Sequence, residues 1–574
     1  MRDVRAAALL LLTVSAPAAA QFTGPGEPLA PAIASVAVEN AHIRTPAGWA
    51  THMAIANGVI IAIGDEAAIR PHIGPETKHI AGAGRTIVPG LHDMHVHPMG
   101  AGQNAMACAI PQGAPPAKVL AVVKECAARK APGQWLTGNG YDPSSFGKTL
   151  PHKSMLDKIA PDRPVLLFDI SGHSTWANSN ALKLAGIDRN TPNPPGGIIE
   201  RDAKGEPTGI LRERASAMAW TKIPAPTREE NRRALDWALS QLASLGVTSI
   251  DDAGLGQKGA LAYADLADAG RLKLRVRGCI MATDPDAIAV RNLYQRDRFR
   301  PDCVKIFLDG VPTDAHTAAM VEPYYSPAGH GPHTDDGREK GLLMIPQPEI
   351  NAMVAKYDAM GLTVKFHAAG DAAVRAGLNA IANARQVNGF TGQMHNVGHS
   401  SFVQMDDIAR AKSVAATFEF SPYIWSPSPI TDNIRHAIDE KRMERWIPIK
   451  DALNAGVQAV PGSDWPVTPS ANPWLAMETM VTRQAPGGKG PMLGGDERIT
   501  LDQAFAMFTM ASARNQNEAM RNGSLETGKQ ADFLILDRDI FSVPVTTVHD
   551  TRVLATFIGG EQVYDAAQPA PAQP

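Results

Sequence analysis

The sequence has few of the features that define several large protein classes. Its 574 residues include four widely spaced cysteines that form no Cys-x-x-Cys pair: Cys108, Cys126, Cys279 and Cys303. This pattern excludes zinc-finger, iron–sulfur and thioredoxin-type sites. Any metal ion must therefore be held by His, Asp, Glu or Lys. The spacing does not decide whether the four thiols pair or stay buried and free.

The chain also has little excess charge of either sign. Lys and Arg number 55 against 58 Asp and Glu, a net charge of -3, so the chain lacks the field that attracts nucleic acid or an anionic membrane. With 44% hydrophobic and 20% charged residues, the composition is that of an ordinary soluble enzyme. We expect a small-molecule substrate and neither nucleic acid nor membrane as partners, while self-association into a homo-oligomer stays open.

Long hydrophobic runs are missing as well. After a positively charged start, residues 6–14 are apolar and three alanines at 18–20 precede Gln21, which is the pattern of a signal peptide at 1–20. A membrane anchor is the alternative, but the run is well short of the ~20 residues that span a bilayer. We therefore expect an exported protein, periplasmic or secreted, that begins near Gln21.

Short alternating stretches near both ends of the mature chain predict two β units, at 21–86 and 520–565. Asn57-Gly58 and Gly559-Gly560 are strong hairpin turn signals. The two units can pair with each other although hundreds of residues separate them. Residues 566–574 consist of Ala, Gln and Pro and predict a flexible tail.

Between these units, at 87–519, strand and helix patterns alternate, which favours a mostly parallel sheet. The predicted strands are 87–97, 247–252, 273–280, 303–309, 362–367, 396–400, 414–420 and 457–463. Eight such units indicate a TIM barrel, and an open doubly wound sheet is the alternative. A helix at 228–245 carries a capping box of Thr227 and Glu230. The long gap after the first strand predicts an insertion at about 100–226, which should cover the catalytic mouth.

The segment VPGLHDMHVHP at 88–98 is the sharpest local feature. Residues two apart on a strand face the same side, so His95 and His97 can share one metal ion. A His-x-His pair also arises by chance as two unrelated surface histidines. Its place at the carboxyl end of the first predicted barrel strand, where such barrels carry out catalysis, favours the metal site.

Four further predicted strands end in residues of the same kind. They supply Lys305, His367, His399 and Asp464. Each alone reads as a satisfied core or surface polar residue, and Lys305 could simply pair with Asp309, because burying an unpaired ammonium is costly. Five strands with such residues at one end predict a single metal-binding mouth.

Together these features resemble the amidohydrolase superfamily of metal-dependent hydrolases, and within it the YtcJ-like subgroup (amidohydrolase family 3), which includes N-substituted formamide deformylases. The similarity covers nearly the whole mature chain. Its most specific segments are GSDWPV at 462–467 and GSLETGKQAD at 523–532. The resemblance implies a TIM barrel with a composite β-sandwich built from both ends of the chain.

The resemblance also implies a ligand set. One divalent ion, with zinc the expected element, takes His95, His97 and Asp464, and a second takes His367 and His399. Lys305 is implied as an N-carboxylate that bridges both ions.

In the insertion, His173 of GHSTWAN at 172–178 resembles the subgroup's substrate-facing histidine, which holds the developing oxyanion. A polar residue at a helix start is the alternative. Trp135, Tyr141 and Trp176 are expected to line an apolar substrate pocket unless they pack the insertion itself.

One departure from the subgroup concerns the strand-six histidine. Arg-Ile-Glu usually precedes it, whereas Asn396-Val397-Gly398 precedes His399. Loss of a glutamate that orients a ligand commonly weakens metal binding ~10- to 100-fold, so the occupancy of the second site stays open. His395 is a candidate substitute.

The expected reaction is hydrolysis of a C–N bond in an amide or formamide. A divalent ion lowers the pKa of bound water toward ~7 and polarises the carbonyl, and Asp464 shuttles the proton to the leaving nitrogen. Ester or lactone hydrolysis or a metal-assisted isomerisation on the same scaffold is a second hypothesis. A non-catalytic periplasmic metal- or solute-binding protein is a third.

Overall fold

The computed structural model describes residues 31–111, 114–146, 151–169, 174–194, 197–312, 316–324, 339–422 and 429–568. The predicted signal peptide at 1–20 and the predicted catalytic His173 lie outside these residues. In the described part, no helix combines the length and the apolar character needed to cross a membrane.

Eight parallel strands follow one another in chain order around a barrel. In this order they are Leu91–Val96, Val247–Leu255, Arg275–Met281, Phe299–Phe307, Thr363–Ala368, Asn396–His399, Thr417–Phe420 and Gln458–Pro461. Backbone bonds close the barrel between the ends of the first and eighth strands, where Asp464 N–H donates to His95 O at 2.6 Å and His97 N–H donates to Trp465 O at 2.9 Å. The TIM barrel prediction is confirmed, and the open sheet is excluded.

Helices connect the barrel strands and surround them. The described α-helices are Glu66–Ile69, Pro98–Met106, Pro116–Arg129, Lys153–Ile159, Ser179–Ala185, Arg214–Trp220, Arg228–Ser244, Gln257–Asp268, Pro285–Ala289, Gln347–Ala359, Asp371–Asn388, Met405–Ser413, Pro429–Ala437, Glu440–Met443, Ile449–Asn454, Pro473–Thr482, Leu501–Ala506 and Ser512–Asn515. The predicted capping box of Thr227 and Glu230 is confirmed at the start of Arg228–Ser244, whose leucines pack on the barrel.

Two further sheets pack against each other as a β-sandwich and share one apolar core. The first contains, in spatial order, Val59–Gly64, His52–Ala56, Val36–Glu39 and Lys78–Ala81. The second contains Glu561–Asp565, Val553–Ile558, Phe533–Leu536, Thr86–Pro89, His42–Thr45 and Gly48–Ala50. Phe533–Leu536 pairs with Thr86–Pro89, so the two ends of the chain share a sheet as expected. Both predicted hairpins are confirmed.

The predicted strand 87–97 is divided between two sheets. Thr86–Pro89 belongs to the sandwich and Leu91–Val96 to the barrel. At Gly90, between them, an added Cβ would lie 2.2 Å from Thr248 Oγ1, so the chain passes too close to the second barrel strand for any side chain. The sequence pattern predicted one strand over this range and did not reveal the crossing.

The segment between the first and second barrel strands forms a fourth sheet with its own helices. Its strands, in spatial order, are Gly197–Arg201, Pro207–Glu213, Ser174–Ala177, Val165–Asp169, Leu136–Tyr141 and Cys108–Ala109. It has separate apolar cores. Cys108 is disulfide-bonded to Cys126 here, and Cys279 is disulfide-bonded to Cys303 across the third and fourth barrel strands.

Candidate metal centre

The residues predicted at the strand ends converge on the carboxyl mouth of the barrel. His95 lies in the first barrel strand and His97 follows it, while Asp464 follows the eighth. At the closure, an added Cβ on Gly462 would lie 2.3 Å from His95 Cβ. Glycine at 462 therefore allows the first and last barrel strands to approach closely beside His95.

His95, His97 and Asp464 form a compact group. Asp464 Oδ1 lies 3.2 Å from His97 Nε2 and 3.6 Å from His95 Nε2, and one ligand atom of each residue lies within 4.8 Å of the other two. Asp464 has a φ of +57°, a left-handed conformation that costs energy for a residue with a side chain. The surrounding structure therefore fixes the backbone of Asp464, and with it the position of the carboxylate.

His367, His399 and Lys305 adjoin this group. The rings of His367 and His399 have centroids 4.9 Å apart, and that of His399 lies 4.6 Å from that of His95. Lys305 Nζ lies 3.2 Å from His95 Nε2. The alternative pairing with Asp309 is not found, because Asp309 instead accepts backbone N–H bonds from Ala319, Ala369 and Gly370.

Burial sets the charges of the cluster. It lowers the pKa of His367 to about 4 and holds the pKa values of His95 and His399 well below the ordinary value. Burial alone would raise the pKa of Asp464, but His399, His97 and Lys305 hold it below its ordinary value. Burial also lowers the pKa of Lys305 to about 8, with nearby Lys365 adding to this effect.

This donor set fits a divalent metal ion. Metal ligands must be deprotonated to bind, and the cluster offers neutral imidazoles beside an ionised carboxylate. Nitrogen and carboxylate donors suit zinc and similar first-row ions. His95, His97 and Asp464 could together hold one ion.

The predicted substitute His395 does not join this cluster. It is fully buried, its Nε2 lies 2.9 Å from Asp358 Oδ1, and its Nδ1 accepts from Val364 N–H at 2.9 Å. His399 Nδ1 instead contacts Ser421 Oγ at 2.6 Å. His395 is therefore a structural residue that ties the fifth barrel strand to a helix.

The predicted pocket aromatics need a correction. Tyr141 and Trp176 are completely buried in the core of the insertion, with ring centroids 5.7 Å apart, so the packing alternative describes them. Their strands alternate between two covered faces, which the sequence pattern did not reveal. Trp135 is half-buried and lines a cavity of about 560 Å³ between the insertion and the start of the helix Arg228–Ser244.

Three residues near the cluster were not indicated by any sequence pattern. Glu419 contacts His95 Nδ1 with Oε1 and Lys365 Nζ with Oε2, and Phe307 stacks on His367 with ring centroids 5.0 Å apart. Lys365 and Glu419 lie inside their strands rather than at the ends. For Lys365 and Glu419, the available sequence signal was a single charged residue within an apolar strand.

The match to known proteins agrees with this geometry. A family model described as the amidohydrolase family matches residues 79–564. The chain is 28% identical to YtcJ of Bacillus subtilis (strain 168), over 89% of this chain and 95% of that protein. It is 26% identical to an N-substituted formamide deformylase of Arthrobacter pascens, over 92% of this chain and 97% of that protein.

A solved structure shares the architecture. An uncharacterized metal-dependent hydrolase from Pyrococcus furiosus superimposes with a TM-score of 0.71 and 26% identity, over 88% of this chain and 99% of that one. The chain thus belongs to the amidohydrolase family. It is a hydrolase of the metal-dependent class, and His95, His97 and Asp464 are its candidate metal site.

Proposed function

We propose that this hydrolase cleaves the C–N bond of a small amide or formamide, with Asp464 as the proton shuttle. The observation that carries the proposal is the position of the Asp464 carboxylate, 3.2 Å from His97 Nε2 and 3.9 Å from His399 Nε2. A group that takes a proton from water and passes it on is needed at this point, because an amide nitrogen leaves only after it is protonated. The similarity to a formamide deformylase over nearly the full chain supports the same bond class.

The proposed cofactor is one or two divalent ions, with zinc expected. When bound, such an ion lowers the pKa of a water molecule and polarises the substrate carbonyl. Lys305 lies beside His95, and its lowered pKa favours the neutral amine that N-carboxylation requires. An N-carboxylated Lys305 is therefore part of the proposal, as are His367 and His399 as ligands of a second ion.

The protein's own residues perform the proton transfers. Asp464 is ionised at neutral pH, because its interactions with His399, His97 and Lys305 hold its pKa below the ordinary value, so it can accept the proton of the attacking water. It then returns this proton to the leaving nitrogen. His173 is proposed to hold the developing oxyanion, and Trp135 remains a candidate contact for the substrate.

The experiment is a hydrolysis screen of the zinc-loaded protein. The panel contains N-substituted formamides and acetamides, together with esters and lactones in which oxygen replaces the nitrogen. Each matched pair has the same acyl group and differs in the bond cleaved, which separates bond class from binding. We expect turnover of at least one amide or formamide. We also expect loss of metal and activity in a His95→Ala, His97→Ala double variant, and retention of both in His79→Ala, whose side chain is half-exposed in the sandwich.

Three outcomes contradict the proposal. Turnover of esters or lactones alone would replace C–N cleavage by the second hypothesis. A double variant that keeps its full metal content would misplace the metal site. A protein that binds zinc but turns over no member of the panel would favour the binding-protein hypothesis.

We also propose that the protein is exported. The paired cysteines Cys108–Cys126 and Cys279–Cys303 support an oxidising compartment, where disulfides persist. The positively charged start and the alanines before Gln21 support cleavage near that residue. The partner proposed in that compartment is a small-molecule substrate.

A further inference from the structure

Glu419 is a buried acid that the proposed reaction does not use. It lies in the seventh barrel strand with no exposed surface. One carboxylate oxygen contacts His95 Nδ1 and the other contacts Lys365 Nζ. A buried carboxylate is stable only when its oxygens have hydrogen-bonding or charged partners. The role of Glu419 therefore has to be sought in its contacts with His95 and Lys365.

The sixth strand leaves room for this carboxylate. Gly398 is the partner of Glu419 in the register of the sixth and seventh strands. An added Cβ on Gly398 would lie 2.7 Å from Glu419 Oε1 and 3.0 Å from Glu419 Cβ. Any side chain at 398 would therefore displace the carboxylate. The two positions act together, because Gly398 provides the space and Glu419 provides the group.

The contact with Glu419 determines which nitrogen of His95 is free. A carboxylate only accepts hydrogen bonds, so His95 Nδ1 carries the proton and donates it to Glu419. The lone pair of Nε2 then faces Asp464 Oδ1 at 3.6 Å and Lys305 Nζ at 3.2 Å. A metal-ligating histidine needs this arrangement, because the bond at one nitrogen fixes both the tautomer and the ring orientation for the other.

We propose that Glu419 is a positioning residue that presents His95 Nε2 to the metal ion, at a place that Gly398 keeps open. The inference rests on the proposed metal site. It assigns the carboxylate that supports the site to the seventh strand of the barrel.

The competing explanation is that Glu419 serves only the buried ion-pair network. Lys365 Nζ also lies 3.3 Å from Asp251 Oδ2 and donates to Met94 O at 2.6 Å. Asp251 in turn pairs with Arg277. Asp251 is completely buried and shares Lys365 with Glu419, and none of the bonds described for it reaches a predicted metal ligand. It is therefore a matched control.

The test compares Glu419→Gln with Asp251→Asn in the full-length protein. Metal is removed with a chelator, and the affinity for Zn²⁺ alone is measured by competition with a chromophoric chelator. Thermal unfolding is recorded in parallel. We expect Glu419→Gln to bind zinc ~10- to 100-fold more weakly. Asp251→Asn should unfold at a lower temperature while its folded form keeps the wild-type affinity.

Equal zinc affinity in wild type and Glu419→Gln would overturn the proposal, as would the same loss in both variants. A wild-type protein that binds no zinc would instead contradict the metal site itself, so the two failures are distinguishable.

Relocating the carboxylate provides a second test. In the double variant Gly398→Asp, Glu419→Ala, the aspartate carboxylate would enter the space that Glu419 Oε1 leaves. We expect this variant to bind zinc more tightly than Glu419→Ala alone. A double variant that binds no better would contradict the claim that the position of this carboxylate matters.

Discussion

At the scale of single residues, Asp464 has to satisfy two demands with one carboxylate. It belongs to the candidate ligand group, and the proposed reaction needs it to accept and release a proton. Oδ1 faces His97 and Oδ2 faces His399, so the two oxygens have different neighbours. This division allows one oxygen to remain a ligand while the other handles the proton.

Substitution of Asp464 by Asn should separate these two roles. The amide keeps the size and one oxygen that can touch a metal ion, but it cannot act as a base. We expect kcat to fall by ~10²–10⁴-fold while much of the bound metal remains, as measured by steady-state kinetics and elemental analysis. Asp496→Asn, at an exposed position, is the control. Near-normal turnover of Asp464→Asn would contradict the shuttle.

The pKa of Asp464 adds a condition on pH. A carboxyl pKa held below its ordinary value of 3.8 means that Asp464 stays ionised as the pH falls from about 7 to about 5. Any loss of activity in that interval must therefore come from another group. The loss due to Asp464 itself should appear only as the pH falls through its lowered pKa.

The sequence predicted the site residues at strand ends more readily than those inside strands. Strand ends follow a local pattern, so His95, His97 and Asp464 could be named before their contacts were known. Glu419 could not, because its contact with His95 joins residues 324 positions apart. Tyr141 and Trp176 were assigned to a pocket because composition does not reveal which side of a sheet is covered.

At the scale of elements, the helix Pro98–Met106 links the site to the outer ring of the barrel. It begins directly after His97 and packs on the helix Arg228–Ser244. Gly102 lies at the contact, where an added Cβ would be 1.9 Å from Ala234 O. The two helix backbones therefore approach each other too closely at Gly102 for a side chain, in the helix that His97 begins.

Two glycines in this helix give a matched pair of substitutions. We expect Gly102→Ala to lower the free energy of unfolding by ~1–3 kcal/mol, because the methyl group forces the helices apart. At Gly100 the nearest atom to an added Cβ is Pro466 Cδ at 4.0 Å, so Gly100→Ala should be neutral or stabilise by up to ~1 kcal/mol. Chemical denaturation measures both. Similar effects at the two positions would contradict the close approach.

At the scale of the whole molecule, the two ends of the described chain meet in one sheet of the sandwich, and each disulfide joins residues of a single region. Cys279 and Cys303 are direct partners across the third and fourth barrel strands. Cys108 and Cys126 join a strand of the insertion to the helix Pro116–Arg129. Both disulfides can therefore form within one region of the fold, before segments that are distant in the sequence have packed together.

Material recovered from the periplasm or medium of a Gram-negative host should test the export proposal. We expect an amino terminus near Gln21, read by N-terminal sequencing. Thiol titration in denaturant should find no free cysteine before reduction and four after it. Protein kept in the cytosol, with Met1 retained and its thiols reduced, is the control for the thiol titration. Exported protein with free thiols at Cys279 and Cys303 would contradict the oxidised pairing.

The closure of the barrel by residues 95 and 464 has a consequence for the timing of metal uptake. His95 and His97 lie at the first barrel strand, but Asp464 follows the last one. An amino-terminal fragment that stops before it lacks both the third ligand and the strand that encloses the other two. The complete site therefore arises only after all eight barrel strands have been made. Under the export proposal, a chain that crosses the membrane unfolded would acquire its ion in the compartment where the barrel closes.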